Sequence, residues 1–71
     1  MNKLNWGNAE DIGIELFDKF PEIDPLTIRF TELHRMVIEL EKFEDDAQGS
    51  NEAKLETIQM AWYDEWKDNN T

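Results

Sequence analysis

Residues 30–43 read Phe30-Thr31-Glu32-Leu33-His34-Arg35-Met36-Val37-Ile38-Glu39-Leu40-Glu41-Lys42-Phe43. Counted from Leu33, the apolar residues Met36, Val37 and Leu40 fall at the 3, 4 and 7 spacing of one helix face, and Phe43 continues the row. Thr31 stands where an N-cap is wanted, so an amphipathic helix is expected from Thr31 to Phe43. The neighbouring segments show the same period. Asn8 followed by Ala9-Glu10-Asp11 marks a helix start with acids in its first turn, where they complement the helix dipole. On a wheel of about 100° per residue Ile12, Leu16 and Phe20 share a face with Phe17 at its edge, and Pro21 stops the run.

Between these two segments, Asp24-Pro25 is a second start signal with too few residues behind it for more than one helical turn. Downstream, Glu44-Asp45-Asp46-Ala47-Gln48-Gly49 is acidic and turn-like, and Ser50 or Asn51 caps a last helix. There Leu55, Ile58 and Trp62 form the inward stripe with Trp66 near its edge, while Met60 and Tyr63 project from the other side as a small apolar patch. Trp6 is placed to close the core from the N-terminal arm. The expected fold is all-α: a small bundle of three main helices plus one short turn. It forms one domain over residues 1–71, with 1–5 and 67–71 frayed.

Seventeen Asp and Glu against seven Lys and Arg give a net charge of −10. Such a surface repels phosphates, so nucleic acid is excluded as a partner, and it suits cations or the basic patch of another protein. With no Cys there are no disulfides, no thiolate chemistry and no cluster held by the chain's own thiolates. The longest apolar run is Met60-Ala61-Trp62-Tyr63, far below the ~20 residues of a membrane span, so a soluble, cytoplasmic chain is expected. His34 is the one histidine. Without a nucleophile, base and orienter to assemble, no enzymatic activity is expected. The ring of His34 reads as a partly exposed group flanking the core beside Ile38.

Two acidic stretches invite a metal reading. In the loop, placing Gly49 at position 6 of a calcium-binding EF-hand puts Leu55 where a bidentate Glu is required, so calcium is set aside. On the first helix, Asp11, Glu15 and Asp18 stand at i, i+4 and i+7, and Glu22 extends the row if the helix continues past Pro21. Oxygen ligands one turn apart suit hard or borderline cations, iron included, in an open and weak site. The same pattern is also that of a solvated helix face, since like charges at this spacing disfavour a helix by only ~0.2–0.5 kcal/mol per pair.

Several strings resemble one family. These are Asp24-Pro25-x-Thr27-x-Arg29-Phe30-Thr31-x-x-His34, then Leu40-Glu41-x-Phe43-x-Asp45-Asp46, Ser50-Asn51-Glu52 and Trp62-x-Asp64-Glu65, with Trp6 and Ile12-Gly13 ahead of them. Together they resemble IscX, the small acidic protein of the bacterial iron-sulfur cluster assembly system, over roughly residues 4 to 65. Where family members carry Trp and Cys in the third segment, this chain has Met36 and Val37 or Ile38. The resemblance implies a modified winged-helix fold that binds the cysteine desulfurase IscS, competing there with frataxin and ferredoxin. It also implies weak, labile iron binding through surface carboxylates, with no tightly bound cofactor.

Taken with the residues, this gives a non-enzymatic adaptor or regulator. Asp11, Glu15, Asp18 and Glu22 are the candidate iron and docking residues. Asp45, Asp46, Met60 and Tyr63 are further candidate partner contacts. The alternative is an iron-donating metallochaperone, in which the metal is the cargo.

Overall fold

The computed structural model describes residues 3–69, and three α-helices carry most of that length: α1 (Ala9–Lys19), α2 (Phe30–Ile38) and α3 (Glu52–Asn69). Two single 3-10 turns, Pro25–Thr27 and Ala47–Gly49, lie in the connections. The all-α bundle expected from periodicity is what the chain forms. The modified winged helix implied by the resemblance is itself a small all-helical fold, and the described residues form no strand: their β-structure is one isolated parallel bridge between Leu4 and Phe43. No described helix is long and apolar enough to cross a membrane.

Local chemistry sets the boundaries. At α1 the carbonyl of Asn8 accepts the Ile12 N–H at 2.9 Å, while its side chain turns away from the helix and accepts the Asn5 N–H at 3.0 Å. Asn8 therefore stands at the expected cap position but organises the incoming arm instead of the first turn. The single turn at Pro25 is closed by Asp24, whose carboxylate accepts the Leu26 N–H and whose carbonyl accepts both the Thr27 N–H and its hydroxyl. Of the two caps considered for α3, the chain uses Asn51. Its Oδ1 accepts the Lys54 N–H at 2.9 Å and its carbonyl accepts that of Leu55.

The second helix departs from expectation at both ends. It starts at Phe30, with extended Arg29 as the cap residue, so Thr31 lies inside the first turn and does not cap. It stops at Ile38, short of Phe43, because the backbone beyond is committed elsewhere: the Leu4 N–H donates to Lys42 O at 2.7 Å and the Glu44 N–H to Leu4 O at 2.8 Å. Leu40 and Phe43 are buried nonetheless, held by turns in which Leu40 N–H donates to Val37 O and Phe43 N–H to Leu40 O. The same pairing buries Leu4, which the expected fraying of 1–5 would have left loose. At the other end α3 continues through Lys67 and Asp68 to Asn69, where fraying was also expected; residues 1, 2, 70 and 71 lie outside the described chain.

Ile12, Leu16, Leu33, Val37, Ile58 and Trp62 are fully buried, with Trp6, Met36 and Leu55 closing the core. The α1–α3 interface is the most extensive between helices and is set by Gly13. A β-carbon there would lie 2.8 Å from Trp62 N and 2.9 Å from Ala61 C, closer than atoms in contact tolerate. Only a residue without a side chain lets the two backbones meet at this point. Gly13→Ala ordinarily favours a helix by ~0.5–1 kcal/mol, but here the overlap outweighs that gain. We expect a net loss of about 1–3 kcal/mol, read as a lowered midpoint in thermal or urea unfolding; an unchanged or raised midpoint would show that the helices separate freely.

Candidate functional site

The acidic residues singled out by sequence fall into two groups that the fold uses differently. On α1, Asp11 and Asp18 are exposed, and Glu15 between them is half-buried with its Oε2 3.2 Å from Lys42 Nζ. Asp11 and Glu15 line one shallow hollow together with Leu4, Ile14 and Lys42. Glu22 does not extend the ridge. The helix ends at Lys19, and Glu22 sits in the turn beyond Pro21. The hard oxygen donors suit iron by type, yet among the described residues no three His, Asp or Glu side chains gather around a point where a metal ion could sit. Lys42 already places a cation against Glu15.

Asp45 and Asp46 hold the N-terminal arm and the turn beside it. One oxygen of Asp45 accepts the Trp6 N–H at 3.1 Å and the other accepts the Asp46 N–H at 2.7 Å. The Asp46 carboxylate accepts the Gln48 N–H at 2.9 Å, capping the 3-10 turn, while its carbonyl accepts the indole N–H of Trp6 at 2.7 Å. Trp6 is thus bonded at both its backbone and its ring. It also stacks on His34, with centroids 5.4 Å apart, and meets Phe43 edge-on at 4.8 Å. A carbonyl can only accept, so the 2.6 Å contact between His34 Nε2 and Ala47 O assigns the ring proton to Nε2. His34 is partly exposed, as expected, but its partners are Trp6 and Ala47 and not Ile38 alone. The bonds from Trp6 to Asp45 and Asp46 span 39 and 40 positions, and helical periodicity carries no signal for them.

The backbone N–H groups of Trp6 and then Asp46 hold the Asp45 carboxyl below the usual carboxylate range. Partial loss of water opposes this, and Lys54 adds a smaller pull downward. Met60 and Tyr63 stand three residues apart on α3 and so project from neighbouring positions, with different partners. Met60 is exposed and lies beside Ile14 of α1, whereas Tyr63 stacks on Trp66 at 6.1 Å with Lys67 Nζ 5.5 Å from its ring. Ile14 was not among the sequence candidates. Its exposure follows from the helix period, which sets it about 200° around the wheel from buried Ile12.

A family model described as iron-sulphur cluster assembly matches residues 4–67. The chain belongs to this family, that of IscX. The match takes in the Trp6 arm, the α1 ridge, the Asp45-Asp46 turn and nearly all of α3, so the family relation covers the whole described fold. An uncharacterized protein of Pseudomonas aeruginosa is 45% identical to it over 62 residues, covering 87% of this chain and 94% of the relative. Membership carries a role in iron-sulfur cluster assembly.

A depressed carboxyl stabilises the fold above the ordinary carboxylate range, and that contribution is lost as pH falls through its lowered value. Asp45→Asn keeps one acceptor and loses the charge. At neutral pH its urea midpoint should lie below that of the parent chain. As the pH is taken below the carboxylate range the two midpoints should converge, and a gap that stays constant with pH would show that the charge of Asp45 plays no part.

Proposed function

We propose that this member of the family is a non-enzymatic adaptor or regulator of cluster assembly, which docks its α1 acidic ridge against the cysteine desulfurase IscS and binds iron weakly on the same ridge. The observation carrying this reading is that Asp11 and Asp18 stand exposed on one face of α1, with Glu15 between them, in a chain of net charge −10. Carboxylates so presented are free to meet the basic surface of another protein. Asp45 and Asp46, by contrast, are engaged within the fold, and we leave them out of the interface.

The mechanism is electrostatic and steric. Long-range attraction steers the acidic face toward a basic patch, raising the rate of encounter. Once docked, the chain covers part of the desulfurase surface and slows sulfur delivery, in competition with frataxin and ferredoxin for the same ground. An iron ion held between ridge carboxylates cancels charge and lowers the affinity for that patch; by reciprocity, docking lowers the affinity for iron. Lys42 acts in the same direction from within, since its ammonium neutralises part of the field of Glu15. A dedicated iron carrier calls for several converging ligands; among the described residues no three His, Asp or Glu side chains gather, which supports the regulator reading over the carrier.

Asp11→Asn, Glu15→Gln and Asp18→Asn introduced together should weaken desulfurase binding by about threefold to a hundredfold, at ~0.2–1 kcal/mol for each exposed charge. The dependence of affinity on salt should flatten in parallel. Titration calorimetry at two salt concentrations reads both effects. The Glu15–Lys42 pair is solvent-exposed, so the triple variant should melt near the parent temperature. Undiminished affinity in a folded triple variant would place the interface elsewhere.

A further inference from the structure

Alongside the contact at Gly13, α1 and α3 leave between them an open cleft of about 400 Å³. Ala61 contributes to its lining, with Ile14 of α1 and Met60 of α3, and these two are 40% and 47% exposed. Leu26, the other large apolar residue this exposed among the described residues, lies on a different element, so the pairing of Ile14 with Met60 makes an apolar spot between the helices. The charged residues in the lining are Glu10, Asp64 and Glu65, all acidic. A second hollow shares Glu10 and adds Asp11, again with no Lys or Arg.

We propose that this cleft binds a basic amphipathic helix of a protein partner. Its apolar stripe lies on Ile14 and Met60, and its Lys or Arg side chains reach Glu10, Asp64 and Glu65. The channel between two helices is the form of surface that receives a third by setting ridges into grooves. An apolar pair ringed by charges of one sign selects for an apolar stripe flanked by the opposite sign. The charge argues against a second copy of this chain as the occupant, because two copies would bring acidic rims and net charges of −10 together. Asp18 of the ridge takes no part in the cleft; Ile14 also borders the hollow of Asp11 and Glu15, and a test with peptides alone reads the cleft without the desulfurase.

The test uses the full chain, isotope-labelled, and two synthetic 14-residue peptides of equal positive charge. One carries Leu at i, i+3, i+4 and i+7 with Lys on the opposite face; the other carries Ser in place of each Leu. The Leu peptide should shift amides at residues 10, 14, 60, 61 and 64 and bind at least tenfold more tightly than the Ser peptide. Ile14→Gln and Met60→Gln should each weaken the Leu peptide by about fivefold and leave the Ser peptide and the melting temperature unchanged. Equal affinity for the two peptides, with shifts spread along Asp11 to Asp18, would overturn the proposal in favour of undirected charge attraction. Concentration-dependent shifts at residues 14 and 60 in the chain alone would overturn it in favour of self-association.

Discussion

The meeting of α1 and α3 at Gly13 fixes the distances on which the rest of the molecule is built. Because the α1 backbone comes within contact of Ala61 and Trp62 there, the indole of Trp62 is driven wholly into the core, between the apolar faces of the other helices. Among the described residues its N–H has no hydrogen-bond partner, at a desolvation cost of about 1–3 kcal/mol. The burial of so large a ring offsets that loss. The cleft lined by Ile14 and Met60 lies beside this contact, so the same two helices that build the core also shape what the surface presents.

A second constraint acts from the far side of the bundle. The Trp6 arm is fastened to the stretch after α2 through the Leu4–Phe43 bridge, the Asp45 and Asp46 bonds and the His34 stack. Gly49 belongs to this assembly as well, since a β-carbon there would stand 3.1 Å from Trp6 Cδ1. The outcome is a division of labour among carboxylates in one acidic chain. All four of Asp11, Asp18, Asp45 and Asp46 are exposed, but those at 45 and 46 also accept backbone N–H groups. Net charge alone does not distinguish the two groups; their bonding does.

How much of this was legible in the sequence depends on how far apart the interacting residues are. The stripes Ile12 and Leu16, Leu33 to Phe43, and Leu55, Ile58 and Trp62 all point inward as the 3.6-residue period requires, because burial of a helix face is a local pattern. The C-terminal end of α2 was misread for the opposite reason. Leu40 and Phe43 keep the helical spacing and are buried, yet residues 42–44 are paired with Leu4 about forty positions away, a competition invisible to periodicity. Asp45 and Asp46 stood in an acidic run that composition could only read as surface. Glu22 was tied to the ridge only if the helix outran Pro21, and the ring that removes a donor and fixes φ ended it. Ile14 stands about 200° from Ile12 on the helix wheel, so its outward side is legible in the period, whereas its meeting with Met60 depends on how α1 lies against α3.

The pairing of the first helix with the last also bears on how the chain is made. During synthesis α1 leaves the ribosome well before Ala61 and Trp62, the residues against which it must lie, and an isolated helix of 11 residues is marginal in water. The Trp6 arm likewise waits for residues 43–47. The arm finds its partners before α3 has emerged, whereas α1 lacks its main partner until most of α3 is out, so completion of the fold falls late in synthesis. Over that interval its own excess of negative charge, by keeping neighbouring chains apart, protects the apolar faces that have nothing yet to cover them.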